Sequence, residues 1–411
     1  MRILILGPWP IAHARHGGQI RAESIIETYR ERGHDVKFVG IYDPTNVPRS
    51  HTGRHDFCID SAVMSYVSRS GQPWEISLWE AFADVPALYG AFEALVRDFR
   101  PDVVQFEEPY LWPVVRSLRN KGELARARIV HSSYNFETDY RKELARIAGK
   151  SDGRILRHVA LQEAEISREC DLVVTVSDDD AASFRALNAR HVVVARNGSR
   201  RIEPTEEALA AVDAYVGDTS FALFVSSAHP PNAEGLLNFV TGMKHKLPGK
   251  LLIGGTVDRL LEPHYRTHRL LRDAHILGMV DAELLPALLA RACVILLPKT
   301  SGGGSNLKTS EALLANRPIV ATSLAFTGFE SWSDLSSVEI ANESPRFWEL
   351  VAQRLEAPRT PYNAELDERR EQLLWRVCLA PMVDAVERCF ELGIAERGAP
   401  AEIMRAELAH V

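Results

Sequence analysis

The sequence predicts an α/β protein of two domains, each built on a mostly parallel sheet flanked by helices. Three observations carry this. The chain has 411 residues, 46% hydrophobic and 25% charged, so it can bury substantial cores and is too long for one ordinary domain. Short apolar runs alternate with helix-like stretches, the order that builds parallel sheets. Two glycine-bearing loops, at 17–18 and 302–304, each follow an apolar run and lead into a helical stretch.

Composition narrows the function classes. The formal net charge is -7, and no basic motif with interleaved aromatics occurs, which argues against nucleic acid as a partner. The five cysteines, Cys58, Cys170, Cys293, Cys378 and Cys389, are scattered and lack CxxC spacing. They suit a reducing compartment. The opening MRILILGPWP is too short in its apolar part for a signal peptide, and no apolar run reaches the length of a membrane span. A cytoplasmic protein, at most peripheral to a membrane, is the expectation.

Arg2 to Gly7 reads as a buried strand, Gly17 to Arg32 as a helix ended by Gly33, and Asp35 to Val39 as the next strand. The intervening loop carries His13, Arg15, His16, Gly17, Gly18 and, on the helix, Arg21. Residues 43–86 are poorly periodic, with Asp56 to Ile59 and Ser61 to Val67 readable as short paired strands. A helix from Ala87 to Phe99 precedes the strand Val103 to Phe106. Glu107 and Glu108 then either face the ligand end of the sheet or cap a helix starting near Leu111. Arg128 to His131 is a further strand. From Arg141 to Arg157 six cations meet two acids: a solvated helix face, or a contact for anionic lipid headgroups or a pyrophosphate-linked acceptor. Leu156 to Cys170 continues as helix, Asp171 to Val176 as strand, Ser177 caps a helix to Leu187, and His191 to Ala195 is the last strand of this half.

Residues 199–219 read as a linker with one helix. Phe221 to Val225 opens the second half, followed by the segment Ser226 to Asn232 and a helix from Ala233 to about Lys246. Lys250 to Gly254 and Ala274 to Leu277 are strands, and Asp281 to Arg291 is a helix. Cys293 to Leu297 is a strand closed by Pro298, the glycine loop follows, Leu307 to Ala315 is a helix, and Pro318 to Ala321 returns as strand. Ser337 to Ile340 is the last strand. Helices are expected at Pro345 to Leu355, Leu366 to Cys378 and Pro381 to Leu392, with a short one at Ala399 to His410. In such parallel units ligands bind at the carboxyl ends of strands, where a helix N-terminus offers unpaired N–H groups to an anion. A diphosphate is the natural guest of the 302–304 loop.

The sequence Gly302, Gly304, Lys308, Glu311, Ala312 and Pro318 to Thr322 resembles the signature of the family 4 glycosyltransferases, and Gly17-Gly18 followed by Gly33-His34 is similar to the family's N-terminal pattern. The resemblance implies a GT-B fold of two Rossmann-like domains with an interdomain cleft: 1–199 on the acceptor side, 200–378 for the nucleotide sugar, and 379–411 as helices crossing back. It implies a retaining transfer of a sugar, a hexose by expectation, from a nucleotide-sugar donor to a hydroxyl acceptor, in surface polysaccharide or glycolipid synthesis. The nucleotide sugar is a co-substrate, with no cofactor and no metal required. A glycan or lipid-linked acceptor and a peripheral contact with the inner membrane surface are the other partners expected.

By the same resemblance Glu311 binds the ribose, and the loop amides of Gly302, Gly303, Gly304, Ser305 and Asn306 bind the diphosphate, with Gly17 and Gly18 opposite. Lys308 meets the leaving diphosphate as the catalytic cation, Arg21 and Arg196 are further phosphate candidates, and His131 is a candidate catalytic residue. Three departures stand beside it. Gly303 lies where members usually have an acid that touches the donor sugar. Ser226 to Asn232 has neither the Arg nor the Lys usual there. Tyr134 takes the position of the family's strand-end His, with His131 three residues earlier. Two other readings remain: a donor-binding relative without transfer, and a nicotinamide-dependent oxidoreductase, whose G-x-G-x-x-G neither loop has.

Overall fold

The computed structural model describes residues 1–149, 153–241, 243, 246–302, 306–358, 362–363 and 365–398. The chain divides into two compact units. One comprises Met1–Thr138, Asp152–Arg196 and Leu379–Val411, the other Asp139–Ser151 and Asn197–Cys378.

The first unit holds strands β1 (Arg2–Leu6), β2 (Asp35–Val39), β3 (Ile41–Tyr42), β4 (Phe57–Cys58), β5 (Val103–Phe106), β6 (Arg128–Ser132), β7 (Leu172–Thr175) and β8 (Val192–Val194). Six of them form a parallel sheet in the order β2-β1-β5-β6-β7-β8, and β3 and β4 pair separately. The second unit holds β9 (Phe221–Val225), β10 (Lys250–Gly254), β11 (His275–Gly278), β12 (Val294–Leu297), β13 (Ile319–Ala321) and β14 (Val338–Ile340), parallel in the order β11-β10-β9-β12-β13-β14. The strand order reverses beside β1 in one sheet and beside β9 in the other. Crevices at the carboxyl ends of strands open at such points. The loops after β1 and β5, and after β9 and β12, therefore occupy the two ligand-binding positions of the architecture.

Apolar content on both faces marks the central strands β1, β5, β9 and β12 as buried ones, since helices cover both sides of a parallel sheet. In β12 the alternation is legible: Ile295 and Leu297 pack with Leu223, Leu252, Leu313 and Phe326 on one face, while Val294 and Leu296 join Phe224, Ile253, Phe347 and Trp348 on the other. Each such burial stabilises by about 1.5–3 kcal/mol. In the first unit Leu4, Leu6, Phe82, Phe92, Phe106, Trp112 and Phe184 share one core.

Several elements differ from the sequence reading. Ser61 to Val67 is not a strand but part of the helix Ser61–Ser70, because the Asp60 carboxylate accepts from the N–H groups of Ala62 and Val63 and starts a turn there. Residues 43–86 also contain the helix Trp74–Asp84. The helix expected from Ala233 to about Lys246 begins earlier and ends sooner, at Pro230–Val240. Proline at its start forfeits no hydrogen bond. The expected break at Pro381 is absent, and one helix runs from Trp375 to Gly398 with Pro381 inside. The break lies at 372–374 instead, where Leu374 bridges to Ser199 and Ser199 N–H donates to the Leu373 carbonyl. Tertiary pairing, not proline, ends the short helix Glu368–Glu371 there. The helix expected at Ala399 to His410 lies outside the described residues, as does Lys150 of the cationic stretch.

Candidate functional site

In the second unit the loop after β12 is held at both ends. Thr322, just after β13, donates its hydroxyl to the Lys299 carbonyl at 2.5 Å. The helix Leu307–Leu314 is fixed by two buried hydroxyls: Thr309 donates to the Ala325 carbonyl at 2.5 Å, and Ser310 to the Gly198 carbonyl at 2.8 Å. Asn306 is the N-cap residue, with extended backbone. Gly302 has φ +90°, a conformation that strains any residue with a side chain. Gly303, Gly304 and Ser305 lie outside the described residues.

Lys308 and Glu311 lie in the first turns of that helix, three apart and hence neighbours on its surface. Both are half-buried. Lys308 Nζ donates to Asn232 Oδ1 at 2.7 Å, so the loop after β9 and the helix after β12 meet at this cation. Burial, with Lys299 adding repulsion and Glu311 opposing, lowers the Lys308 pKa to about 7. Burial also raises Glu311 to about 7, against the pull of Lys308. His229, at the start of the Pro230–Val240 helix, is lowered to about 4 by burial and by the charges of Lys308 and Lys299. Its ring nitrogen lies 2.5 Å from the Tyr140 hydroxyl, and the two rings stack at 5.7 Å. An ammonium poised near neutrality is suited to an incoming anion, which restores its charge.

The first unit's switch point is differently furnished. Gly17 and Gly18 open the helix Gly17–Glu31, and His16 is its N-cap residue. Trp9 meets His16 edge-on at 4.5 Å and stacks with Tyr134 at 6.1 Å. A Cβ on Gly18 would come 2.7 Å from the Trp9 ring. Tyr134 donates its hydroxyl to the Gly18 carbonyl at 3.3 Å. Beneath them Glu107 is fully buried. It accepts from Gln105 Nε2 at 2.6 Å and Ser132 Oγ at 3.1 Å, while Tyr29 donates to Gln105 at 2.7 Å. Burial raises its pKa to about 7, against the opposing effects of the Gln105 hydrogen bond, Arg21 and the hydroxyls of Ser132 and Tyr134. Of the two roles open to Glu107 in the sequence, neither a helix cap nor a ligand contact is what its bonds make.

Two candidates of the first unit need correction. His131 is fully buried in β6, its ring 4.7 Å from that of Phe106 and 5.7 Å from Phe184. Burial lowers its pKa to about 3, and a ring enclosed among core aromatics has no path to substrate. Arg21 is also buried, donating to the carbonyls of Ala195 at 3.0 Å and Arg196 at 3.5 Å. It ties the end of the sheet together and balances Glu107, and is not presented to a phosphate. Arg196 itself is part-exposed and pairs with Asp178 at 2.5 Å.

The stretch from Arg141 to Arg157 is less cationic in space than in sequence. Lys142 pairs with Asp139 at 2.7 Å, Arg146 with Glu143 and Glu234, and Arg154 donates to the Gly71 carbonyl at 3.0 Å. The start of the helix Glu137–Ala148 is set by Glu163, a buried carboxylate that accepts from Glu137 N–H at 2.6 Å and from Thr138 N–H at 3.1 Å. Burial raises its pKa to about 8. Among the described residues no helix is long and apolar enough to cross a membrane.

Residues 16–198 match the family described as "Glycosyl transferase 4-like domain". No curated protein matches the chain. Solved structures do. Sucrose-phosphate synthase from Thermosynechococcus elongatus has a TM-score of 0.69 at 16% identity, over 95% of this chain and 99% of that one. The catalytic domain of starch synthase IV from Arabidopsis thaliana, bound to ADP and acarbose, gives 0.63 at 11%, over 96% and 99%. HepE from Anabaena in complex with UDP gives 0.60 at 15%, over 97% and 99%. At these identities the likeness is one of fold. Residues 16–198 are thus similar to a glycosyl transferase 4-like domain, and the chain has the two-domain α/β fold of the GT-B glycosyltransferases.

Proposed function

We propose that the protein is a retaining glycosyltransferase that moves a sugar, a hexose by preference, from a nucleotide-sugar donor to a hydroxyl of a glycan or lipid-linked acceptor in polysaccharide or glycolipid synthesis. The observation that carries the reading is the meeting of Lys308 and Asn232 at the β9/β12 switch point, with Glu311 one turn along the same helix. A phosphate at that point would find a partly desolvated cation and the N-terminus of the helix that follows Asn306. Glu311 would accept from the ribose hydroxyls, and Lys308 would stabilise the negative charge that grows on the departing diphosphate. No metal or cofactor is assigned to the reaction. Retention, the cytoplasmic setting and an acceptor presented at the inner membrane surface are supported by the family resemblance, and the exposed Arg157 beside Arg154 would suit an anionic headgroup.

A thermal-shift screen of UDP, ADP, GDP and their sugar conjugates, followed by assay of donor hydrolysis, tests the reading. A stabilising nucleotide sugar that is turned over, slowly in water and faster with acceptor, is the expected result. Binding without turnover would leave a donor-binding protein, and stabilisation by nicotinamide dinucleotides alone would place the chain with the oxidoreductases.

A further inference from the structure

The second unit contains an ion-pair network that this reading leaves unused. Arg146, on the helix Glu137–Ala148, pairs with Glu143 at 2.9 Å and approaches both carboxylate oxygens of Glu234 at 3.2 Å. Each of those acids also grips the loop after β12. Glu234 accepts from the Ser301 hydroxyl at 2.5 Å, and Glu143 accepts from the backbone N–H of Gly302. Two carboxylates therefore occupy donors of the very loop that leads to Lys308, and one guanidinium lies between them. The segment Ser226–Asn232 meanwhile supplies no Arg or Lys, and its His229 is held neutral at pH 7.

We propose that Arg146 is a ligand of the donor's diphosphate, and that Glu143 and Glu234 hold Gly302 and Ser301 as stand-ins for phosphate oxygens until the nucleotide displaces them. The inference rests on the donor-site reading above. Guanidinium binds carboxylate and phosphate by the same planar fork. Exchanging one for the other keeps the donors of Arg146, Ser301 and Gly302 satisfied, so the swap strands none of these three. Arg146 is half-exposed, with side-chain exposure of 55%, and can swing without unpacking a core. The carboxylates cannot stay where they are, because a diphosphate beside them would be repelled. Arg146 and Glu143 thus act with opposite sign on the same equilibrium. A cation from residue 146 replaces the one missing from 226–232.

The test uses the full chain and titrates UDP, ADP and GDP, each against its nucleoside, by calorimetry. With the tightest diphosphate, Arg146→Gln weakens binding by about 10-fold or more, as expected for loss of a charge-assisted bond, and leaves nucleoside affinity unchanged. Arg146→Lys keeps part of the affinity, and Glu143→Gln tightens diphosphate binding about 3-fold to 10-fold by weakening the competitor. Wild-type diphosphate affinity in Arg146→Gln overturns the inference while leaving the donor-site reading intact. So does an equal loss for diphosphate and nucleoside, which would make Arg146 a structural residue. If wild type binds none of the three diphosphates, the donor-site reading falls and takes the inference with it.

Discussion

The two sheets share a design and differ in what fills their ligand ends. Beside β1 the crevice is lined by Trp9, His16 and Tyr134 packed against Gly18, over a fully buried carboxylate whose donors are all internal. Beside β9 the corresponding place holds Lys308, Asn232 and ion pairs that are part-exposed. Aromatic packing and a buried hydrogen-bonded acid are costly to rearrange, whereas exposed ion pairs exchange partners for little free energy. The first unit offers a preformed wall and the second an exchangeable charge site. The proposed donor, whose bound end is a diphosphate, suits the second.

The sharpest way to break that contrast is to remove the second unit's cation. Once a donor is known, Lys308→Ala should lower kcat by ~10²-fold or more, as for other preorganised groups that meet transition-state charge. Glu311→Gln should chiefly raise KM, because a ribose contact is made equally in ground and transition states. Steady-state rates for both variants decide it. Wild-type rates in both would remove the loop after β12 from the donor site.

That contrast was only half legible in the sequence. Strand positions are legible because buried parallel strands are short, continuous apolar runs, as in Ile3 to Leu6 and Val294 to Leu297, and so is the cap at Ser177, whose Oγ accepts from Asp180 N–H. Elements fixed by distant partners could not be read. The break at 372–374 depends on Ser199; at Ser61–Ser70 the signal is local, the Asp60 cap, and a β-rich composition masks it. The site divides the same way. Lys308 and Glu311 stand in one local motif, but Asn232 is 76 residues from Lys308 and Glu234 is 88 from Arg146, so no spacing rule joins them. His131 misled because a strand-end position says nothing of which way the side chain faces. Glu107 stands out in the sequence as an acid directly after an apolar strand, but its buried bonds to Gln105 and Ser132 are not legible there.

A smaller effect probes the first unit's wall. Glu107 has a folded pKa of about 7, above its usual 4.5. Its contribution is therefore fully present below about 4.5 and is lost as pH rises through about 7, amounting to at most about 3 kcal/mol. Glu107→Gln mimics the protonated acid and should flatten that dependence. Denaturation at pH 5 and pH 8 gives the comparison. Equal losses of stability in wild type and variant between those pH values would show that Glu107 is ionised throughout and that the wall is charged.

The smallest expected signal is a fraction of a proton, yet it reports directly on the second unit. With a pKa of about 7, Lys308 is roughly nine-tenths neutral at about pH 8 in the free protein. A diphosphate beside it favours the ammonium and draws a proton from solution. Glu311 would act in the opposite direction, since ribose hydroxyls donating to it favour the carboxylate, but with a pKa near 7 it is already ionised at pH 8 and has little left to release. The nucleotide's own phosphates are ionised there too. Net uptake at pH 8 should therefore come from Lys308. Calorimetric titration in two buffers of different ionisation enthalpy measures it, and the uptake should fall sharply in Lys308→Gln even where enough affinity remains to titrate. Undiminished uptake in that variant would mean that the proton goes elsewhere, and that the diphosphate does not bind against Lys308.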